Sequence, residues 1–286
     1  MILSVASGKG GTGKTTVSVN LAATAPMPVR LLDCDVEEPN AHLFIQTEEV
    51  RRSPKKVFIP KVDAEKCTLC GQCEAICRFS ALVTIGQKLL TFPEMCHACL
   101  GCLRICPEGA ILHGERLLGE VIQAKWGRHE LIWGELRVGE AMSPPLIEAV
   151  QGAAVADRPL ILDAPPGTSC PMIAAVRDSD FILLVTEPTP FGLNDLRLAV
   201  DTARHLSIPC GIVLNRAEPG NTLIQEYARK ESIPLLMEIP YRRSYAEAYS
   251  RGERLTDKDP ELKKAFEQLW RDLEKKLHSL SERRLP

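Results

Sequence analysis

The chain has 286 residues, 35 basic and 37 acidic side chains and 11 cysteines, and is 45% hydrophobic and 25% charged. That is the composition of a globular protein with one large core or two smaller ones, and a net charge of −2 gives no electrostatic reason to expect nucleic acid as the main partner. No apolar run approaches the roughly 18 residues needed to cross a bilayer, and residues 1–7 are too short for a secretory leader, so a cytoplasmic protein without a membrane partner is expected. Eight of the cysteines fall within residues 67–106, and in a reducing compartment such clustering points to metal rather than disulfides.

Ile2-Leu3-Ser4-Val5-Ala6 is a short β-prone run, residues 7–13 are glycine-rich, and residues 14–25 have helical spacing until Pro26 and Pro28 end it. A second strand, Val29-Arg30-Leu31-Leu32, delivers Asp33, Cys34 and Asp35 at its carboxyl end. Residues 61–113 then break the rhythm with dense cysteine and no long helix, and two cysteine runs about 29 residues apart form an internal repeat. This segment reads as a module inserted in the loop after the second strand. It divides the chain into a discontinuous domain, 1–60 with 114–286, and an inserted domain, 61–113. Buried-type strands follow at 160–162, 181–185, 211–214 and 235–239, with helical stretches at 193–206 and 222–231. Strands alternating with helices predict an α/β fold, a mostly parallel sheet with helices on both faces and ligands at the carboxyl ends of the strands. At the far end Leu262, Phe266, Leu269, Trp270, Leu273, Leu277 and Leu280 share one helical stripe. Acidic Glu267, Asp272, Glu274 and Glu282 interrupt the basic face, so the stripe is expected to pack on its own domain rather than on a membrane.

Between the first strand and the first helix, Gly8, Lys9, Gly10, Gly11, Thr12, Gly13, Lys14 and Thr15, followed by Thr16, match the phosphate-binding loop: two glycines with four residues between them, then lysine and a hydroxyl residue. The glycines let backbone N–H groups converge on ATP phosphates, Lys14 supplies charge, and Thr15 can ligate Mg²⁺. Asp163 ends an apolar strand and is the residue type that holds Mg²⁺ through water. In Ala164-Pro165-Pro166-Gly167, Gly167 can offer its N–H to the γ-phosphate and move when that phosphate leaves. Asp33 and Asp35 are both placed to orient a water for in-line attack. Only one can be the principal water partner, and Asp35 is preferred.

The extra Lys9 ahead of Gly10-Gly11-Thr12-Gly13-Lys14-Thr15, with Asp33-x-Asp35 and Asp163-x-Pro-Pro-Gly167, resembles the MinD/ParA/Mrp group of P-loop ATPases, which includes the nitrogenase iron protein. The resemblance covers nearly all of residues 1–60 and 114–286 and implies a P-loop NTPase fold that hydrolyses Mg-ATP. It implies that Lys9 reaches across a nucleotide-sandwich homodimer to the partner's phosphates. It also implies adenine contacts at Asn215 and Arg216 and at Pro240 and Tyr241, although Asn215 can equally be a strand-end turn residue.

Cys67-x₂-Cys70-x₂-Cys73-x₃-Cys77 is followed by Cys96-x₂-Cys99-x₂-Cys102-x₃-Cys106-Pro107, the bacterial ferredoxin spacing written twice. In that pattern the fourth cysteine of each run ligates the other cluster. Two [4Fe–4S] clusters are therefore expected, one on Cys67, Cys70, Cys73 and Cys106 and one on Cys96, Cys99, Cys102 and Cys77. Zinc also takes CxxC pairs, but four ligands per site do not account for three cysteines in register plus a fourth, twice over. Arg78 stands where the first run would often have proline, and His97 reads as a spacer or hydrogen-bond donor. Cys170 lies at the offset from Asp163 at which the nitrogenase iron protein carries a cluster ligand. It is thus a candidate extra ligand, the alternative being a small buried hydrophobe.

Two ferredoxin sites in the loop after Asp35 suggest ATP-driven dimer closure coupled to electron transfer toward a redox partner protein. The alternative is an iron–sulfur cluster assembly or carrier ATPase serving an acceptor protein, against which no CxxC stands outside residues 67–106. A positioning or redox-sensing regulatory ATPase is a third possibility.

Overall fold

The computed structural model describes residues 1–140, 142–155 and 157–283, with side chains as far as residue 277. In chain order the strands are β1 (Ile2–Ala6), β2 (Arg30–Asp33), β3 (Glu48–Val62), β4 (Leu82–Ile85), β5 (Lys88–Thr91), β6 (Ile111–Trp126), β7 (His129–Leu136), β8 (Leu160–Asp163), β9 (Phe181–Thr186), β10 (Cys210–Ala217) and β11 (Leu235–Pro240). The α-helices are α1 (Lys14–Ala23), α2 (Gln72–Ile76), α3 (Gly101–Ile105), α4 (Pro144–Gly152), α5 (Cys170–Val176), α6 (Pro190–His205), α7 (Leu223–Lys230), α8 (Arg243–Ser250) and α9 (Pro260–Arg283). One sheet has the order β11-β10-β9-β1-β8-β2-β7-β6-β3. From β11 to β7 its neighbours are parallel, and β6 and β3 extend it antiparallel.

Alternation along the strands divides the core into two layers. Leu3, Leu31, Ile161, Leu183 and Val213 face α1 and α9. Leu32, Leu162, Ile182, Leu184 and Ile212 face α4, α5, α6 and α7. Strands buried on both faces read as continuous apolar runs, which is why the six expected ones are all present. The expected helical stripe also lies in the core. Leu262, Phe266, Leu269, Trp270 and Leu273 are buried, and the Trp270 indole N–H donates to the Leu21 carbonyl at 2.6 Å. Leu280 and Glu282 lie outside the described side chains. Among the described residues no helix is long and apolar enough to cross a membrane.

The cysteine-rich segment is not a simple loop insertion. Strands β3 and β6 form a long antiparallel hairpin with pairs from Glu48↔Lys125 to Val62↔Ile111, and β6 pairs in turn with β7, which joins β2. The cysteines therefore sit at the end of a ribbon continuous with the central sheet. Its outer strand escaped the sequence reading because charges and two prolines interrupt the alternation, as suits a sheet edge.

The turn between β6 and β7 is tied to the end of α1, where Arg128 Nη1 donates to the Pro26 carbonyl at 3.2 Å and Nη2 to that of Ala25. Beside it His129 is 8% exposed and accepts the Val29 N–H on Nδ1 at 3.2 Å. Burial, with the charges of Arg128, Arg158 and Arg254 behind it, holds the ring's pKa down to about 4. The folded state thus binds fewer protons than the unfolded chain, whose histidine titrates near 6.5. The neutral ring's contribution is complete above about pH 6.5 and is lost as pH falls toward 4, and solvent screening reduces it to about 1–2 kcal/mol. Thermal denaturation between pH 4 and 7 should show His129→Gln with a flatter pH slope than the natural chain. Parallel slopes would rule out this residue as the source.

Candidate functional site

A cavity of about 350 Å³ opens at the carboxyl ends of the parallel strands. Gly10, Gly11, Gly13, Lys14, Thr15 and Thr16 line one side, Asp35 and Pro166 another, and Asn215, Arg216 and Pro240 a third. Sequence-distant candidates thus meet in one place. Gly13, the residue before α1, has φ +98°, and a Cβ there would lie 2.3 Å from Asn215 Nδ2. Asn215 Nδ2 itself donates to the Thr12 carbonyl at 2.8 Å, so this residue fastens the phosphate loop to β10. Gly8 does not line the cavity. A Cβ there would lie 2.1 Å from the Asp195 carbonyl oxygen, so it serves close packing against α6.

Asp163 is buried and aligned beside Asp33 across β2 and β8. Its Oδ1 accepts the Ser18 hydroxyl at 3.1 Å, whereas Oδ2 is buried without a partner. Burial pushes this carboxyl up, and the Thr15 hydroxyl and Lys14 charge pull it back. An orphaned carboxylate oxygen beside Thr15 is the group that a Mg²⁺-bound water would satisfy, so the residues fit a Mg-nucleotide.

Of the two candidate aspartates, only Asp35 faces the cavity. Burial pushes its pKa up to about 6 against the Lys14 charge. Asp33 does not line the cavity. It is fully buried, its Oδ2 accepts the Asn40 and Ala41 amides at 2.9 Å each, and its Oδ1 accepts the Asp35 amide at 3.1 Å. With both oxygens committed to backbone, Asp33 shapes the loop that carries Asp35. Two further groups are engaged within the chain. Lys9 Nζ pairs with Glu187 at 2.6 Å, whose other oxygen meets Arg216 at 2.9 Å, and the Gly167 N–H (φ +91°) donates to the Ser7 carbonyl at 3.0 Å.

The sequence reading missed Glu38, Asn40, Tyr245 and Tyr249 on the cavity wall. The two tyrosines were findable: Tyr241, Tyr245 and Tyr249 recur every four residues, which sets side chains on one face of α8 and the turn before it.

The cysteines of residues 67–106 gather around two further, far smaller cavities, of about 20 Å³ each. One is lined by Cys67, Cys70, Cys73 and Cys106, the other by Cys77, Cys96, Cys99 and Cys102, so the fourth cysteine of each run joins the other run's cavity. The repeat is visible in the backbone. Helices α2 and α3 are 29 residues apart, as are the left-handed residues Leu69 and Ala98, Gly71 and Leu100, and Ser80 and Gly109. Matching amides donate to sulfur, from Ala81 to Cys77 Sγ at 3.3 Å and from Ala110 to Cys106 Sγ at 3.2 Å. Burial pushes the Cys73 thiol up, with Cys106 and Cys67 adding to it, and pushes Cys102 to about 11. Apolar cavities with four thiols and amide donors to sulfur fit an iron–sulfur group. His97 stacks on Phe79 with centroids 3.4 Å apart and takes no ligand's place.

Cys170 is exposed at the first position of α5 and lines neither cysteine cavity. Cys34 is fully buried and Cys210 partly so.

Comparison with known proteins agrees with the α/β nucleotide-binding fold. The uncharacterized protein MJ0579 of Methanocaldococcus jannaschii is 30% identical over 259 residues, covering 88% of this chain and 90% of that one. A Helicobacter pylori protein named iron-sulfur cluster carrier protein is 26% identical over 240 residues, 81% of this chain and 50% of its own. The solved cell division ATPase MinD of Pyrococcus furiosus superposes with a TM-score of 0.57 at 21% identity, covering 96% of this chain and 98% of that one. Residues 3–255 match the CobQ/CobB/MinD/ParA nucleotide binding domain, and the chain belongs to that P-loop family.

Proposed function

We propose that this protein is an ATPase that couples its nucleotide state to electron transfer through two [4Fe–4S] clusters, held at the end of the β3–β6 ribbon in an inserted domain of residues 61–113. The observation that carries the proposal is the sorting of eight cysteines into two four-thiol cavities on strands continuous with the nucleotide sheet. Bound clusters would supply one-electron chemistry, and Mg-ATP the phosphoryl group.

The chain's own residues supply a connection. Asp33 holds the Asn40 and Ala41 amides, and the next residue, His42, stacks on Trp133 of β7 at 5.3 Å and 12°. The Trp133 indole N–H donates to Glu135 at 3.0 Å, and Glu135 pairs with Arg52 of β3 at 2.9 Å. Displacement of the Asp35 loop therefore has a path of direct contacts to the ribbon. At the phosphate end, Gly167 would exchange the Ser7 carbonyl for a γ-phosphate oxygen, and Lys14, Thr15 and Asp163 would hold Mg-ATP while Asp35 orients water.

Lys9 must leave Glu187 before it can reach a second copy of the chain. Glu187→Gln removes the charge that holds it, so ATP-dependent dimers should form at a several-fold lower protein concentration. Sedimentation velocity tests this, and an unchanged midpoint would mean that the pair does not compete with dimer closure.

A second reading, a cluster assembly or carrier ATPase, is favoured by the name of the Helicobacter pylori relative. Anaerobic reconstitution with iron counting and EPR, with and without Mg-ATP, separates the two. About eight retained irons per chain and a delivery rate to an electron acceptor that differs between ATP and ADP support electron transfer. Identical rates with both nucleotides overturn it. Loss of cluster to an apo-acceptor, abolished by Cys170→Ser while the eight irons stay, favours the carrier.

A further inference from the structure

The 29-residue repeat gives the two cysteine sets nearly the same backbone but different surroundings. Arg116, on β6 opposite Val57, donates from Nη2 to the Cys96 carbonyl at 3.3 Å. Its Nη1 pairs with Glu140, which also pairs with Arg137 at 2.7 Å. The Arg116 side chain is 8% exposed and that of Glu140 1%. The Glu140 carboxylate is thus shared between two guanidiniums, and the Arg116 Nε–H is buried without a partner.

Among the described residues no arginine donates to the backbone of the other set in this way. One repeat earlier, the position corresponding to Arg116 is Gln87, in the turn between β4 and β5. The cavity of Cys67, Cys70, Cys73 and Cys106 has a carboxylate, Glu108, in its wall, whereas the other cavity is walled by Phe58, Phe79 and His97 without an acidic group. The Cys96 side is also the one joined to the body. Ala98 packs against the core layer formed by α4 to α7, and the residues around Glu140 reach the nucleotide loop through Leu136 N–H to the Val36 carbonyl (2.9 Å) and Ser143 Oγ to Glu37 (2.8 Å).

We propose that Arg116 is a positioning residue that fixes the Cys96 loop to the body and makes the Cys77, Cys96, Cys99 and Cys102 site the more easily reduced of the two. This rests on the assignment of a [4Fe–4S] cluster to each set. A one-electron reduction adds negative charge to a cluster, and a buried guanidinium nearby stabilises that charge where the effective dielectric is low. Glu108, in the wall of the other cavity, is exposed, and solvent screens its charge. Electrons entering the ribbon would thus come to rest on the body side, next to the segment that touches the nucleotide loop.

The test is an EPR-monitored dithionite titration of the full-length chain, reconstituted anaerobically. Cys67→Ser first removes one cluster, so that the Cys96-side signal is seen alone. Arg116→Gln should lower the midpoint of that signal. In the two-cluster chain, Arg116→Gln should narrow the separation of the two midpoints while leaving the Cys67-side midpoint in place. Arg116→Lys keeps the charge without the fork and should fall between the two. Glu140 keeps Arg137 as a partner in these variants, and unchanged thermal denaturation and iron content confirm that the fold and both sites persist. Equal shifts of both midpoints, or none in Arg116→Gln with iron content intact, overturn the inference. Absence of any [4Fe–4S] signal from the natural chain overturns the cluster assignment instead.

Discussion

Cys77→Ser should remove about four of about eight irons per chain, and they should be the same four that Cys96→Ser removes. The two cysteines belong to different sequence runs but line one cavity. The double variant Cys77→Ser/Cys96→Ser should therefore still retain about four irons, whereas Cys77→Ser/Cys67→Ser should retain almost none, because it breaks both sets. Iron analysis after anaerobic reconstitution, with EPR to identify the survivor, gives the answer. If the clusters were instead built within each run, Cys77→Ser and Cys67→Ser would share one loss, and the double variants would exchange outcomes. The crossed pattern follows from the fold: helices α2 and α3 pack together, and each run continues past its helix to the partner cavity.

Gly13→Ala should abolish nucleotide binding and lower the thermal midpoint by several degrees. The residue has φ +98°, where a side chain costs about 1–2 kcal/mol, and its Cβ would meet Asn215 Nδ2 at 2.3 Å. Asn215 would have to release the Thr12 carbonyl, which loosens the loop whose amides must converge on phosphate. Gly10→Ala is the control. Its Cβ meets nothing within 4 Å and its φ is not positive, so the midpoint without nucleotide should stay unchanged. Differential scanning calorimetry with and without Mg-ATP checks both variants. A Gly13→Ala chain still stabilised by Mg-ATP as strongly as the natural one would contradict the assigned role.

Residues that act through local pattern were legible. The phosphate loop needs strand, glycines and helix in sequence, and the cysteine runs need fixed short spacings, so a single stretch of chain carries each signal. The buried parallel strands announce themselves as apolar runs. The roles of Asp33 and Asp35 were not separable in this way, because both follow the same strand and differ in direction. Only the folded loop shows one carboxylate consumed by the amides of residues 35, 40 and 41 and the other on the cavity wall. The edge strand β3 was invisible for a related reason: it gains its stability from pairing with β6, not from an apolar alternation of its own.

The sequence by itself determined that this protein has a phosphate loop, an α/β core and two sets of four cysteines, since each follows from residue type and short-range spacing. Tertiary structure decided how they are joined. It placed the cysteines at the end of a ribbon that shares a sheet with the nucleotide site, held Lys9 on Glu187 within its own chain, and set Arg116 and Glu140 beside only one of the two sets. These are contacts between residues 20 to 180 positions apart in sequence, as between Arg116 and Cys96 or Lys9 and Glu187, and no local propensity encodes such a contact. It is fixed only when burial of the two core layers brings the strands into register.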